Sequence, residues 1–155
     1  MATSINVFEL AGYRYGIQLA VTREFLRLPS ITPLPKAPWI VEGIVNIRGR
    51  AIPVLDIRRR FRLPEKAPYP TDYLIVAEVG SRLIGLRVDA VLGIQHVDPR
   101  DIEDAITIAP GVEYLTGVAK LPDGLVLIHD LHSFLAEAEA RDIDAALSDS
   151  SVTAS

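Results

Sequence analysis

Residues 43–61, read as G-I-V-N-I-R-G-R-A-I-P-V-L-D-I-R-R-R-F, constrain the fold more than any other part of the chain. Two short apolar segments, 44–47 and 51–57, surround a polar and basic centre made by Asn46, Arg48, Gly49 and Arg50. That pattern is strand, tight turn, strand. Ile52, Val54 and Ile57 supply apolar positions that pack one way. Gly49 offers a permissive backbone position, so the turn presents Arg48 rigidly instead of on a long mobile loop. Asp56 and Arg58 close the segment, and six arginines fall within residues 43–62. Taken alone, the stretch also reads as an ordinary hairpin with a solvated basic turn.

The same grammar recurs along the chain. Residues 7–11 and 13–19 alternate apolar and polar about Gly12, residues 72–79 and 82–91 about Gly80 and Ser81, and residues 115–120 and 125–129 about Pro122, Asp123 and Gly124. The last turn carries Asp-Gly, a strong hairpin signal. Between the hairpins, Thr22 resembles an N-cap for a short helix over 23–28, with Phe25 and Leu28 facing inward and Pro29 stopping it. The proline-dense segments 31–38 and 63–71 read as ordered loops. Residues 39–41 make one helical turn anchored by Trp39 as a packed core or lid residue. Residues 91–97 continue extended or turn once near Gly93, 99–105 form an acidic turn and 106–109 a short apolar segment. Asp130 or Ser133 caps a helix through Phe134, Leu135 and Ala138 as far as Leu147, and the polar residues 148–155 form a mobile tail.

Composition narrows the possibilities. The chain of 155 residues is 49% hydrophobic and 23% charged, which describes a folded protein with one core of normal size or two small ones sharing an interface. It has no cysteine, so disulfides and thiolate metal sites are excluded, in keeping with a reducing compartment. No stretch reaches eighteen apolar residues, and the first ten lack the pattern of a signal peptide, so neither membrane insertion nor export is expected. Residues 1–88 carry thirteen Arg/Lys against seven Asp/Glu, whereas residues 89–155 carry three against thirteen. Such polarity gives a molecule two faces of opposite sign, suited to orienting a partner.

Catalytic signatures are missing. There is no nucleophile elbow, phosphate loop, dinucleotide fingerprint or H-E-x-x-H zinc motif. His129 and His132 with Asp130 are the only metal-like group, and their strand-to-helix setting does not require them to converge; no metal and no cofactor are expected. Asp56, Asp89 and Asp130 each follow a strand, where capping a turn or pairing with an arginine accounts for them. A nucleic-acid-binding β barrel would use the arginine cluster, but Phe61 is the only stacking residue within it and the other half of the chain is acidic. An enzyme would need a pocket of converging polar groups near the three aspartates.

A faint internal echo is present. G-Y-R-Y-G-I resembles G-S-R-L-I-G-L at residues 80–86, and the basic hairpin resembles residues 117–132, in the same order and with one gap. Two similar small β units follow, and closed barrels are the natural way for short strands to remove open edges.

These residues together resemble CheW-like chemotaxis coupling proteins. The resemblance rests on P-x-W-I-V-E-G-I-V-N-I-R-G-R-A-I-P-V-L-D-I-R-R-R-F, on F-E-L-A-G-Y-R-Y-G-I-Q-L with Glu24 upstream, and on G-L-R-V-D-A-V and G-V-A-K-L with L-V-L-I-H-D-L downstream. It implies an all-β fold of two packed five-stranded SH3-like barrels over residues 5–137, with a short C-terminal helix and tail over 138–155. It also implies a non-enzymatic, cytoplasmic adaptor recruited to membrane receptor arrays. Its partners would be a CheA-type histidine kinase, through that kinase's regulatory domain, and the cytoplasmic tip of a methyl-accepting chemoreceptor. Glu24, Arg48 and Tyr73 match positions associated with receptor or kinase binding. Gly43, Asn46, Gly49, Asp56, Arg58 and Asp89 match motif positions, the glycines among them shaping the turn. Thr22, Arg87 and His129 depart from the family pattern. W-I-V-E-G and V-D-A-V-L-G also resemble coupling proteins of type IV pilus systems, so a twitching or phototaxis pathway is the alternative output.

Overall fold

The computed structural model describes residues 3–104, 115–131 and 137–153. In chain order the strands are β1 (Thr3–Leu10), β2 (Tyr13–Gln18), β3 (Thr22–Arg27), β4 (Val41–Ile47), β5 (Arg50–Leu55), β6 (Tyr73–Val79), β7 (Arg82–Val88), β8 (Ala90–Val97), β9 (Ile102–Asp104), β10 (Leu115–Leu121) and β11 (Gly124–His129). A four-residue helix, α1 (Ile57–Arg60), follows β5, and α2 (Glu137–Thr153) ends the described chain. The apolar segment at 106–109, His132, the Ser133 cap, Phe134, Leu135 and the last two residues lie outside the described residues.

The strands form two sheets, ordered β8-β1-β2-β11-β10-β9 and β3-β6-β7-β5-β4. Two closed five-stranded barrels were the expectation, and the structure corrects it: among the described residues neither sheet closes, and one has six strands. The end strands of each sheet do not pair with each other. In the second sheet the chain between β3 and β4 is the proline-rich segment, where Pro29, Pro33, Pro35 and Pro38 have no N–H to donate. It forms no ladder with β4 beyond the isolated bridge between Thr32 and Ile44. Register shifts at Val7/Phe8, Thr22/Glu24, Val41/Gly43 and Leu115/Gly117 bend the strands without joining the edges.

The internal echo survives in the pairing. β2 runs parallel to β11, with Tyr15 opposite Leu127 and Gly16 opposite Ile128; β7 runs parallel to β5, with Gly85 opposite Val54 and Leu86 opposite Leu55. Matching hairpins therefore occupy matching places. They are exchanged between the halves, however: the first sheet joins the N-terminal hairpin to β8–β11, and the second is built wholly from β3–β7.

Each sheet buries one face on a small core of its own. Ile5, Val7, Val97, Ala119, Val126 and Ile128 form one, and Val45, Ile47, Ile52, Val54, Leu74 and Val76 the other. The opposite faces meet in a larger central core containing Phe8, Leu10, Ile17, Leu55, Ile75 and Leu86. Strand β6 serves two cores at once, which is why Y-L-I-V-A-E-V reads as a nearly continuous apolar run.

Three local expectations change. Residues 22–27 form the edge strand β3, not a helix, because pairing with β6 from Ala77 to Tyr73 overrides the cap signal at Thr22. Phe25 accordingly faces out, 42% exposed. Trp39 is 57% exposed, and it is the neighbouring Ile40 that enters the core. Residues 148–153, expected within a mobile tail, continue α2. That helix is anchored by Ile143 in the central core, by the Arg60–Glu139 ion pair at 2.5 Å and by Arg82–Asp144. Once a helix is nucleated on such anchors, each further residue adds a hydrogen bond at little extra entropic loss.

The short helix α1 ends on Arg62 in the left-handed region, φ 57°. Arg62 N–H donates to the Arg59 carbonyl (3.2 Å) and Leu63 N–H to the Arg58 carbonyl (2.8 Å), a Schellman-type closure that favours glycine. Arg62→Gly should therefore stabilise the fold by about 0.5–1 kcal/mol in urea denaturation. An unchanged midpoint would show that the left-handed arginine carries no strain.

Candidate functional site

The basic turn joins β4 to β5. Arg48 and Gly49 both take positive φ, 51° and 84°, the geometry of a two-residue turn whose twist matches the flanking strands. Asn46 Oδ1 accepts the Gly49 N–H at 2.8 Å and fixes the turn. Arg48 is thereby carried across to Glu24 on β3, and its guanidinium meets both carboxylate oxygens, Nη1 to Oε1 at 3.2 Å and Nη2 to Oε2. The hydrogen bond from Arg48 holds the Glu24 carboxyl below its ordinary pKa. Both side chains remain open to solvent, so the pair is available at the surface and adds little stability.

Glu24 and Arg48 border a groove of about 450 Å³ with Ile47, Ile52, Val76 and Leu83 among its walls. These four apolar residues belong to or pack on the second sheet's own core, so the groove is the open mouth of that curled sheet. Arg23 pairs with Glu78 at its edge, 2.6 Å apart. An apolar floor rimmed by alternating charges suits a partner surface rather than bond chemistry.

Tyr73 does not converge on this groove. It stands opposite Arg27, three residues along β6 from Val76, which stands opposite Glu24. Odd spacing along a strand reverses the face. Tyr73 packs against the central core, with the Arg27 guanidinium 4.8 Å above its ring.

Gly43 lies within β4, away from the turn it was expected to shape. A Cβ there would strike the Thr32 carbonyl oxygen and come within 2.7 Å of Ile31 Cγ2. Its role is to let the proline-rich segment lie against β4, where Thr32 and Ile44 exchange two backbone hydrogen bonds of 2.8 Å.

Asp56, Arg58 and Asp89 build a clamp between the sheets. Asp56 caps α1 by accepting from the Arg58 and Arg59 N–H groups. Buried Arg58 donates to both oxygens of Asp89 at 2.9 and 2.7 Å and to the Pro64 carbonyl. Asp89 also accepts the Ala11 N–H at 2.9 Å, so the β1–β2 turn, the β7–β8 junction and α1 are held by one carboxylate. Burial pushes the Asp89 pKa up, but the Ala11 N–H, Arg58 and Lys66 together bring it below its ordinary value.

Arg87 is one of the departures from the family pattern. The structure seats it in a buried network. Its guanidinium contacts Glu42 at 2.7 Å, Asp72 at 3.3 Å, the Lys66 carbonyl at 2.7 Å and Asp56 at 3.8 Å. All four charged side chains are at least 93% buried. Burial raises the Glu42 carboxyl above its ordinary pKa even beside Arg87. His129, the other unexpected polar residue, is buried in a ring cluster 4.4 Å from Phe61 and 5.3 Å from Tyr15.

Comparison with known proteins agrees with this architecture. Residues 4–139 match the family model described as CheW-like domain. A chemotaxis protein CheW of Rhizobium meliloti is 33% identical over 132 residues, covering 81% of this chain and 85% of that protein. One from Treponema pallidum is 27% identical over 142 residues, covering 88% and 84%. Among solved structures, the scaffolding protein TtCheW from Thermoanaerobacter tengcongensis superposes with a TM-score of 0.78 at 32% identity, over 90% of this chain and 96% of that one.

Proposed function

The chain belongs to the CheW-like family, and from that premise we propose that the Glu24–Arg48 groove is the surface on which it engages its partners. The protein is a non-enzymatic adaptor of the CheW type, coupling chemoreceptors to a CheA-type histidine kinase. Its mechanism is the holding of a geometry. The observation that carries the assignment of the surface is the rigid, solvent-open presentation of Arg48 beside an apolar floor.

In this reading the receptor's cytoplasmic tip, a helical hairpin, lays an apolar stripe on Ile52 and Leu83 while Arg48 supplies a charged hydrogen bond at the rim. The regulatory domain of the kinase meets a separate patch of short apolar residues with a polar border. Tyr73, on the other face of β6, belongs to the central core side and supports that second contact or the fold. Recruitment to receptor arrays follows from the two contacts together. The unit spanning residues 5–137 carries both, with 138–155 as an extension.

Co-sedimentation with the CheA-type kinase and receptor-bearing membranes from the same cell tests this. Arg48→Glu sets a carboxylate against Glu24 and should reduce recruitment on the order of tenfold, with the far-UV spectrum unchanged. Recruitment equal to wild type would remove Arg48 from the working surface. Failure of the wild type to sediment with its own partners would sink the coupling role in that pathway.

A further inference from the structure

A second groove of about 300 Å³ adjoins the first. Its walls include Arg50, Ile52, Pro53, Leu83 and, from α2, Asp144 and Leu147. Arg50, Ile52 and Leu83 line both grooves, so the two form one trough running from the Glu24–Arg48 pair to the C-terminal helix. Four arginines border it. Arg48 pairs with Glu24, Arg23 with Glu78, and Arg82 with Asp144, the last with Nη2 to Oδ2 at 2.8 Å. Among the described residues, no carboxylate or carbonyl accepts from the exposed guanidinium of Arg50 at the junction.

Helix α2 displays the recognition mode that this surface supports. It pairs the Asp144 carboxylate with Arg82, and three positions on Leu147 lines the same groove while packing on the central core. Residues at that spacing lie on one face of a helix. Arg50 with Ile52 and Leu83 repeats the same combination of cation and apolar floor, with no helix upon it.

We infer that Arg50 is a specificity-determining residue which receives a carboxylate from the partner's helical hairpin, an Asp or Glu followed three or four residues later by an aliphatic side chain. This rests on the groove reading given above. The α2 wall limits how far the partner can extend along the trough, and it lies mostly beyond residue 139, where the family match ends.

The test uses the full chain and a purified helical-hairpin fragment of a chemoreceptor tip from the same cell, with affinity read by calorimetry. Arg50→Glu should weaken binding on the order of tenfold or more, with a smaller loss for Arg50→Ala and recovery with Arg50→Lys. Its effect should shrink as salt rises, because an exposed charge pair is screened. Thermal unfolding should be unchanged, since among the described residues the Arg50 side chain takes part in no hydrogen bond or ion pair. Arg48→Glu is measured alongside. Weakening by Arg48→Glu with Arg50→Glu within twofold of wild type would overturn the Arg50 assignment and leave the groove reading standing. No binding by the wild type would overturn both.

Discussion

Arg87→Met should destabilise the protein by about 3–5 kcal/mol, because it leaves Glu42, Asp72 and Asp56 buried around an apolar side chain. For a chain of this length the melting temperature should fall on the order of 10 °C. The loss should depend on pH with a definite sign. The Glu42 carboxyl already titrates above its ordinary value in the folded state, because burial opposes its charge, and removing Arg87 raises it further. A folded-state pKa above the unfolded one gives stability that is present at low pH and lost as pH rises. The deficit of Arg87→Met against wild type should therefore widen from about pH 5 to about pH 8. Adding Glu42→Gln and Asp72→Asn should recover part of it, since neutral amides tolerate burial better than carboxylates. A pH-independent deficit of less than about 1 kcal/mol would mean that the network is electrostatically unimportant.

Gly43→Ala should be nearly as damaging, about 3 kcal/mol or more, for a steric reason. The added methyl meets the Thr32 carbonyl oxygen, and backbone held by two hydrogen bonds cannot swing aside as a flexible side chain would. Relief requires lifting residues 31–38 from β4, which also uncovers Ile31 on the second sheet's core. Chemical denaturation gives the magnitude, and hydrogen exchange locates it: the Thr32 and Ile44 amides should lose protection before those of β6. Gly49→Ala offers a useful contrast. A Cβ there meets open space, but φ at 84° is strained for any side chain, so its effect should stay local to the turn. Equal protection of Thr32 in Gly43→Ala and wild type would refute the steric account.

The two glycines separate what could be read from the chain and what could not. At Gly49 the reason is local: a two-residue turn between alternating strands demands left-handed backbone, and N-I-R-G-R announces it. At Gly43 the reason is a segment eleven residues upstream lying across the strand, which no window around Gly43 contains. Asp56 divides in the same way. Its capping of α1 follows from its position before I-R-R-R, whereas its place near Arg87 depends on the parallel pairing of β5 with β7. Tyr73 and Glu24 both match positions associated with receptor or kinase binding, yet the register of β3 on β6 puts them on opposite faces.

The sequence by itself determined the hairpins, their turns, the basic tip at Arg48, the paired echo and the family resemblance, because these depend on alternation, on glycine placement and on residues near one another in the chain. Only the tertiary structure decided that the sheets stay open, that matching hairpins are exchanged between the halves, that residues 22–27 extend along β6, and that Arg87 lies at the centre of a buried charge network. Each of those outcomes is a competition among long-range pairings and burial. The winner there is set by which edges and faces are left to meet, and a local pattern of residues does not contain that information.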